Sequence, residues 1–408
     1  MASNRKAAIG FIFITLLIDV TGLGIIIPVM PKLIEQLLHT NDVSLASQYG
    51  GWLTFAYAIM QFLFAPVLGN LSDRYGRRPV LLFSLLGFGI DYLFLSFAPS
   101  IAWLFVGRII AGITGASFTT ASAYIADIST EKNRAQNFGM IGAAFGLGFI
   151  LGPLLGGLLG ELGPRIPFIV AAALALLNCI YGYFVLPESL DEQHRRPFEW
   201  RRANPVGSLM QLRKYPAVSG LVMSLVLVYV ASHAVQSNWS FFNIEKFKWG
   251  PKMIGISLGI VGLLVGVVQG GLVRVVNPKI GNEKSVYVGL GLYALGLLLF
   301  AFASQSWMMF VFLVPYCLGG IAGPALQSII SGHVPPNEQG ELQGALTSLM
   351  SATSIIGPPM MTNLFAYFTK PTAPVYFPGS AFLLGAILMM GSAIWAYMAL
   401  KDEKKHLS

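Results

Sequence analysis

Charge is what this sequence of 408 residues has least of: 11% of the chain is Asp, Glu, Lys or Arg, against roughly a quarter in soluble globular proteins. With 55% apolar residues and a mean hydropathy of +0.68, that deficit excludes the water-soluble classes. Cysteine is nearly absent as well. Cys179 and Cys317 sit in apolar runs in opposite halves, which argues against a disulfide or metal framework. No grouped catalytic residues, phosphate-binding loop or metal cluster is visible, so neither an enzyme nor an ATP-driven pump is expected. Polar stretches are scarce too, and the only long one runs over 187–215.

Apolar length is what the chain has instead. A spanning helix needs about 20 mainly apolar residues, so twelve spans at roughly 34 residues each, connectors included, account for the whole chain. Hydropathy places them at 7–27, 47–70, 79–98, 101–127, 135–160, 166–186, 216–240, 251–277, 285–303, 306–332, 340–368 and 376–400. They must be helices, because unpaired backbone cannot sit in hydrocarbon and the runs are too long for barrel strands. The basic residues Arg5 and Lys6 before the first run imitate a signal peptide. That run contains Asp19, continues to Pro28 and lacks a convincing cleavage site, so it is expected to be retained as the first span.

The net charge of +8 is placed by topology. Nineteen of the 26 cations fall in the N-terminus, the 2–3, 4–5 and 8–9 loops, the central loop and the tail. Six fall on the opposite side: Lys32, Arg165, Lys246, Lys248, Lys252 and Lys370. By the positive-inside rule both termini are cytoplasmic, and the basic balance does not indicate nucleic-acid binding. The remaining cation, Arg108, lies inside span four.

The polar stretch divides the chain into an N-terminal six-helix bundle (1–186), a cytoplasmic linker (187–215) and a C-terminal six-helix bundle (216–408). Landmarks recur across it: Gly152-Pro153 returns as Gly357-Pro358, Gly112 as Gly319, and Gly69, opening the charged 2–3 loop, as Gly271 before the weaker 8–9 loop. Offsets that agree within a few residues indicate duplicated halves, an arrangement in which substrate binds near the midplane and the halves rock.

Several residues stand out against this apolar background. In the 2–3 loop, Gly69-Asn70-Leu71-Ser72-Asp73-Arg74-Tyr75-Gly76-Arg77-Arg78-Pro79 resembles the signature of the major facilitator superfamily. Glycine permits a tight turn there, and Asp73 can cap the next helix or pair with a cation on a neighbour. Asp127 and Arg134, flanking the 4–5 loop, are the expected latch partners of a conformational switch. In span five, Gly148, Gly152, Pro153, Gly156 and Gly157 allow close helix contact and a bend, and they resemble the antiporter motif of drug/proton exchangers.

Asp19 is a carboxylate near the middle of a spanning helix, at a cost of about 2.5–3.5 kcal/mol on insertion scales, so by default it lines a cavity and acts. Arg108 is its expected cation. Asp91, in the third span, is read either as part of the proton pathway or as a hydrogen-bonding group within the N-half. No acid lies deep in a C-half span, which confines proton coupling to the first six helices. Uncharged groups take its place: His233, Gln236, Asn238, Gln269, Gln327 and Gln343, with Gln61 on span two. Together they are expected to line a cavity for a polycyclic, partly polar compound.

The resemblance extends over essentially every span. Leu17-Ile18-Asp19-Val20-Thr21-Gly22-Leu23-Gly24, Gln61-Phe62-Leu63-Phe64-Ala65-Pro66, Asp91-Tyr92, Gly107-Arg108, Ala126-Asp127, Pro324-Ala325-Leu326-Gln327 and Gln339-Gly340-Glu341-Leu342-Gln343-Gly344 are similar to the tetracycline/proton antiporter family, a drug-exporting branch of that superfamily. The resemblance implies an all-α membrane protein of twelve transmembrane helices in two pseudo-symmetric bundles, exchanging drug for protons. Asp19, Gln61, Asp91 and Arg108 would be transport residues, and Asp73, Arg74, Arg77, Asp127 and Arg134 switch residues. Exporters of the family typically carry a His in span eight and an acid in span nine. The regions around Val265-Gly266 and Tyr293 supply neither.

The expected protein is therefore a proton-coupled exporter of a small amphipathic drug in the bacterial inner membrane. It is expected to be monomeric, to contact lipid, and to need no cofactor beyond the coupling proton. A physiological metabolite such as a siderophore, sugar or lipid is the alternative cargo, and a non-transporting receptor the alternative class. The topology has a direct test. Alkaline phosphatase fused after residue 408 is expected to be inactive, and the same enzyme inserted within 371–375 active.

Overall fold

The computed structural model describes residues 2–407, except for 116, 131–132, 201–203, 205–206, 208–209, 211–218 and 336–337. The side chains of 2–8, 134–135, 340–341 and 402–407 are likewise not described. Among the described residues the regular structure is helical throughout. In chain order the helices are α1 (Ala2–Ile26), α2 (Met30–Leu38), α3 (Val43–Tyr75), α4 (Arg77–Phe97), α5 (Ile101–Thr114), α6 (Ser117–Ile128), α7 (Arg134–Gly160) and α8 (Ile166–Val185). There follow α9 (Ser219–Phe247), α10 (Pro251–Val267), α11 (Val273–Ile280), α12 (Asn282–Phe302), α13 (Ser306–Leu318), α14 (Ala322–Gly332), α15 (Gln339–Thr369) and α16 (Ser380–Leu407).

Among the described residues, eleven helical stretches are long and apolar enough to cross a membrane. The stretch expected as the eleventh span is α15, which is long enough at 31 residues. Its Ser, Thr and Asn residues, with Pro358 and Pro359, dilute its hydropathy. Three spans are interrupted where glycine lowers helical preference. Span four leaves helical geometry at Gly115, between α5 and α6. Span eight passes through a π turn, Val268–Leu272, containing Gly270 and Gly271. Span ten passes through a 3-10 turn, Gly319–Ile321.

The chain divides into two compact units. One comprises 1–41, 56–205 and 250–259, and the other 42–55, 206–249 and 260–408. Two helices, α3 and α10, are thus each shared between the units. In the first, α1 has its most extensive packing against α7. In the second, α9 and α12 pack on α16, and the hydroxyls of Ser224 and Ser392 meet at 2.7 Å.

The internal repeat is clearest in α4 and α12, each of 21 residues. Gly76 precedes α4 with φ 105 and Gly281 precedes α12 with φ 83. Ala98 and Ala303 close the two helices with nearly the same backbone angles. The left-handed turn that recurs is therefore made by Gly76 and Gly281. Gly69 and Gly271, expected to open the charged loops, lie within helical segments with open space beside them, which corrects that reading.

Glycine determines how closely α7 approaches its neighbours. A Cβ on Gly148 would stand 2.7 Å from Cβ of Val20, and one on Gly152 would stand 2.6 Å from the carbonyl oxygen of Thr21. On Gly156 it would meet Cα of Ile25 at 2.9 Å, so this stripe brings the α7 backbone directly onto α1. An adjacent stripe faces α10: a Cβ on Gly157 would meet Cα of Gly255 at 2.9 Å. Gly139, Gly142 and Gly146, on the same helix, have open space.

Overpacking a tight contact costs about 1–3 kcal/mol, whereas Gly→Ala at an unobstructed helical site gains up to about 1 kcal/mol. Gly156→Ala is therefore expected to lower the melting temperature in detergent, and Gly142→Ala to leave it equal or higher. Thermal denaturation of the two purified variants checks this.

Candidate functional site

The interruption of span four is the centre of the site. At the break Gly115 exposes its carbonyl, and Gln61 on α3 donates to it from Nε2 at 3.2 Å while also reaching the hydroxyl of Tyr57 at 3.0 Å. The approach of α3 needs Gly112, where a Cβ would lie 2.6 Å from Cβ of Met60. Ser117, on the far side of the break, is the hydroxyl that bears on Asp19 of α1. A discontinuous helix that frees backbone polar groups beside an acid is a recurring transporter device.

Asp19 is 9% exposed, and neither carboxylate oxygen completes a hydrogen bond among the described residues. Tyr57 and Tyr92 lie within its electrostatic reach. Tyr92 comes from α4 and fits because position 22, one turn along α1, is glycine: a Cβ there would stand 3.0 Å from the Tyr92 ring carbon that bears the hydroxyl.

Arg108 does not pair with Asp19, which corrects the expected partnership. Its guanidinium is committed to Asp91: Nη2 donates to Oδ2, and Nε to Oδ1 at 3.3 Å. Asp91 is fully buried and Arg108 is 7% exposed. Gly107 makes room for the pair, since a Cβ there would meet Oδ1 of Asp91 at 2.7 Å. The Tyr57 ring lies 5.8 Å from the guanidinium carbon, linking the pair to the Gln61 side of the site.

The C-half residues expected to contact substrate separate into two groups. His233 and Asn238 are buried. His233 packs its ring against Gly357, where a Cβ would meet Cγ at 2.6 Å, so this glycine accommodates an imidazole. Asn238 is fully buried, with neither amide atom hydrogen-bonded among the described residues. Gln236, Gln269, Gln327 and Gln343 are exposed. Gln327 bonds the Tyr229 hydroxyl, and Gln269 lies in the π turn.

The motif at the end of α3 forms a charged cluster. Arg77 Nη1 donates to Asp73 at 2.5 Å and to the hydroxyl of Ser72 at 2.7 Å, while Nε reaches Asp127 at 3.1 Å. Arg78 donates to the Tyr183 carbonyl, and Arg74 lies over the Tyr75 ring. Asp127 also accepts from Ser189 at 3.0 Å. The side chain of Arg134, expected in this cluster, lies outside the described residues.

Glu188 was not anticipated. Its carboxylate accepts the backbone N–H of Arg77 at 2.8 Å and of Arg78 at 3.2 Å, which places a negative charge at the N-terminus of α4. Gly76 makes this possible, because a Cβ there would collide with the Glu188 carboxylate. Glu188 is one of four acids in the linker, with Asp191, Glu192 and Glu199, and nothing in the sequence sets it apart from them. Tyr57, one turn before Gln61, and Ser117 were also missed, since hydroxyls in apolar helices are too common to single out.

Comparison with known proteins now bears on this geometry. The sequence pattern of the Major Facilitator Superfamily matches residues 12–358 and 275–407. The chain is 40% identical over 390 residues to the class C tetracycline resistance protein of Escherichia coli, covering 96% of each. It is 35% identical over 381 residues to the class B protein of the same organism, covering 92% of this chain and 91% of the relative. Among solved structures, the human organic anion transporter MFSD10 (TETRAN) aligns over 96% of this chain and 99% of its own. Its TM-score is 0.69 at 23% identity. A bacterial homolog of the human lysosomal transporter Spinster gives a TM-score of 0.77 at 15% identity, covering 97% of each chain. Both likenesses concern the fold.

Removing one partner of a buried ion pair costs about 3–5 kcal/mol, because the other charge is left uncompensated. Asp91→Asn is therefore expected to destabilise the protein strongly, and adding Arg108→Gln to recover part of the loss. Thermal denaturation of the single and double variants in detergent is the check, and equal melting temperatures across the series would refute the pairing.

Proposed function

The chain belongs to the Major Facilitator Superfamily, and from that membership we propose that it is a proton-coupled exporter of a tetracycline-like amphipathic drug. Membership of this family makes it a multi-pass membrane transporter rather than an enzyme. The drug reading rests on the names and high coverage of its tetracycline resistance relatives. The bacterial inner membrane, cytoplasmic termini and a monomeric state complete the proposal.

One observation supports the coupling: among the described residues Asp19, buried in a spanning helix, has no cationic partner, because Arg108 is taken by Asp91. An ionised carboxylate there is costly, and protonation removes the cost. Substrate that supplies a positive charge or hydrogen-bond donors stabilises the ionised form instead. Drug and proton thus compete for one carboxylate, which is the minimal requirement for exchange. A membrane potential of 100 mV contributes about 2.3 kcal/mol per charge moved, and the pH gradient adds to it.

Alternating access then requires the two halves to exchange which side of the membrane reaches Asp19. The tight α1–α7 contact supports the idea that Asp19 travels with its own bundle. The Asp73–Arg77–Asp127 cluster at the end of α3 supports a latch that opens and closes during the cycle. The exposed glutamines of the C-half offer hydrogen bonds without charge, suited to an amphipathic compound.

The experiment is drug uptake into proteoliposomes under an imposed pH gradient, run with tetracycline, a panel of other drugs and a set of sugars and siderophores. Gradient-driven tetracycline flux is expected in the wild type and is expected to fall at least ten-fold in Asp19→Asn, whose drug binding loses its pH dependence. Flux indifferent to the gradient would overturn the coupling. Flux of a metabolite alone would overturn the drug assignment.

A further inference from the structure

The linker that follows α8 carries an aromatic and basic segment that transport leaves unused: Arg195-Arg196-Pro197-Phe198-Glu199-Trp200, continuing in sequence with Arg201 and Arg202. Two hydrogen bonds to its backbone hold it against α3. Arg196 donates its N–H to the Asp73 carbonyl at 3.0 Å, and Asn70 donates Nδ2 to the Glu199 carbonyl at 2.7 Å. These bonds are specific, and Asn70 is buried in making its contact.

The segment's position along the membrane normal follows from helix length. α3 has 33 residues, about 50 Å at 1.5 Å per residue, whereas the hydrocarbon core is about 30 Å thick and the whole bilayer about 40–45 Å. The last turns of α3 therefore stand among the headgroups. Asn70 lies about 7–8 Å short of its end, so with α3 centred on the bilayer Phe198, Glu199 and Trp200 stand at about the height of the phosphates.

The chemistry displayed there is that of an interfacial anchor. Trp200 is 76% exposed and meets Phe198 edge to face, ring centres 5.0 Å apart. A large exposed indole fixed at this height finds both apolar chain and polar headgroup within reach. The Arg196 side chain is exposed and that of Arg195 half-buried. Beside them, the end of α8 presents exposed Tyr183 and Phe184, and the Arg78 guanidinium lies 5.6 Å from the Tyr183 ring centre. Basic side chains near an anionic lipid surface are drawn to its headgroups by charge. We propose that this surface, Phe198 and Trp200 with Arg195 and Arg196 at the end of α3, binds the headgroups of anionic phospholipids. The assignment does not depend on the drug or on proton coupling.

Its test uses the full-length protein. Native mass spectrometry after delipidation and addition of phosphatidylglycerol or phosphatidylcholine reads lipid retention. The variant is Arg195→Gln with Arg196→Gln, and Lys at both positions is the conservative control. Each basic residue near an anionic surface contributes enough for roughly a five-fold change. Phosphatidylglycerol retention is expected to fall at least five-fold in the Gln variant and to persist with Lys, with phosphatidylcholine retention unchanged. In proteoliposomes containing brominated phosphatidylglycerol, the fluorescence difference between wild type and Trp200→Phe is expected to be strongly quenched.

Equal retention of the two lipids, or unchanged phosphatidylglycerol retention in the Gln variant, would overturn the proposal. Failure of brominated lipid to quench the Trp200 signal would also overturn it, since the indole would then be covered by protein. Displacement of the lipid by millimolar inorganic phosphate would identify a free-anion site instead. Transport by the Gln variant, measured in parallel, keeps this result separate from any failure of the exporter reading.

Discussion

The commitment of Arg108 to Asp91 is the interaction on which the rest of the site depends. Asp19, Asp91 and Arg108 are all buried in the first half, and the last two neutralise each other at close range. Asp19 has tyrosines and a serine about it and, among the described residues, no ion pair. Were Arg108 shared with Asp19, ionisation there would be compensated and the carboxylate would have little reason to bind a proton. A static pair thus creates a solitary acid.

Glycine supplies the other half of the arrangement. The pair fits because position 107 lacks a Cβ, Tyr92 reaches the Asp19 level because position 22 lacks one, and α3 closes on the break because of Gly112. Lipid provides no hydrophobic drive for helices to associate, so close backbone approach and the dispersion it allows must do so. The same stripe that joins α7 to α1 begins opposite Val20, directly beside Asp19. Rigid packing and the chemical group therefore share one helix turn, which favours Asp19 moving with its bundle.

Much of this was legible beforehand, for identifiable reasons. Helices in lipid are long, apolar and self-sufficient in hydrogen bonds, so hydropathy locates them. Asp19, Arg108 and Asp91 were conspicuous because ionisable groups in spans are rare. Which acid holds the arginine was not legible, since that depends on helix rotation and on contacts between α4 and α5 that have no one-dimensional signature. The turn assigned to Gly69 belongs to Gly76 for a similar reason. Several glycines stand near the loop, and only backbone angles tell which of them adopts a positive φ. Glu188 escaped notice because its partners are backbone N–H groups, which every sequence has.

The two halves also divide labour in a way the repeat makes visible. The offset of 205 that carries Gly76 onto Gly281 places Gly296 opposite Asp91 and Leu313 opposite Arg108. Where the first half buries an ion pair, the second packs Gly296 directly on Tyr316 and buries Leu313 completely. An apolar contact of that kind resists the entry of charge and gains nothing from a proton. Duplication thus gave one scaffold two interiors. Charge in the first is tuned by burial, and in the second it is replaced by packing and neutral amides. Among the described residues, buried Asp and Arg side chains in spans are thus concentrated in one half of the scaffold, and the other half is built to do without them.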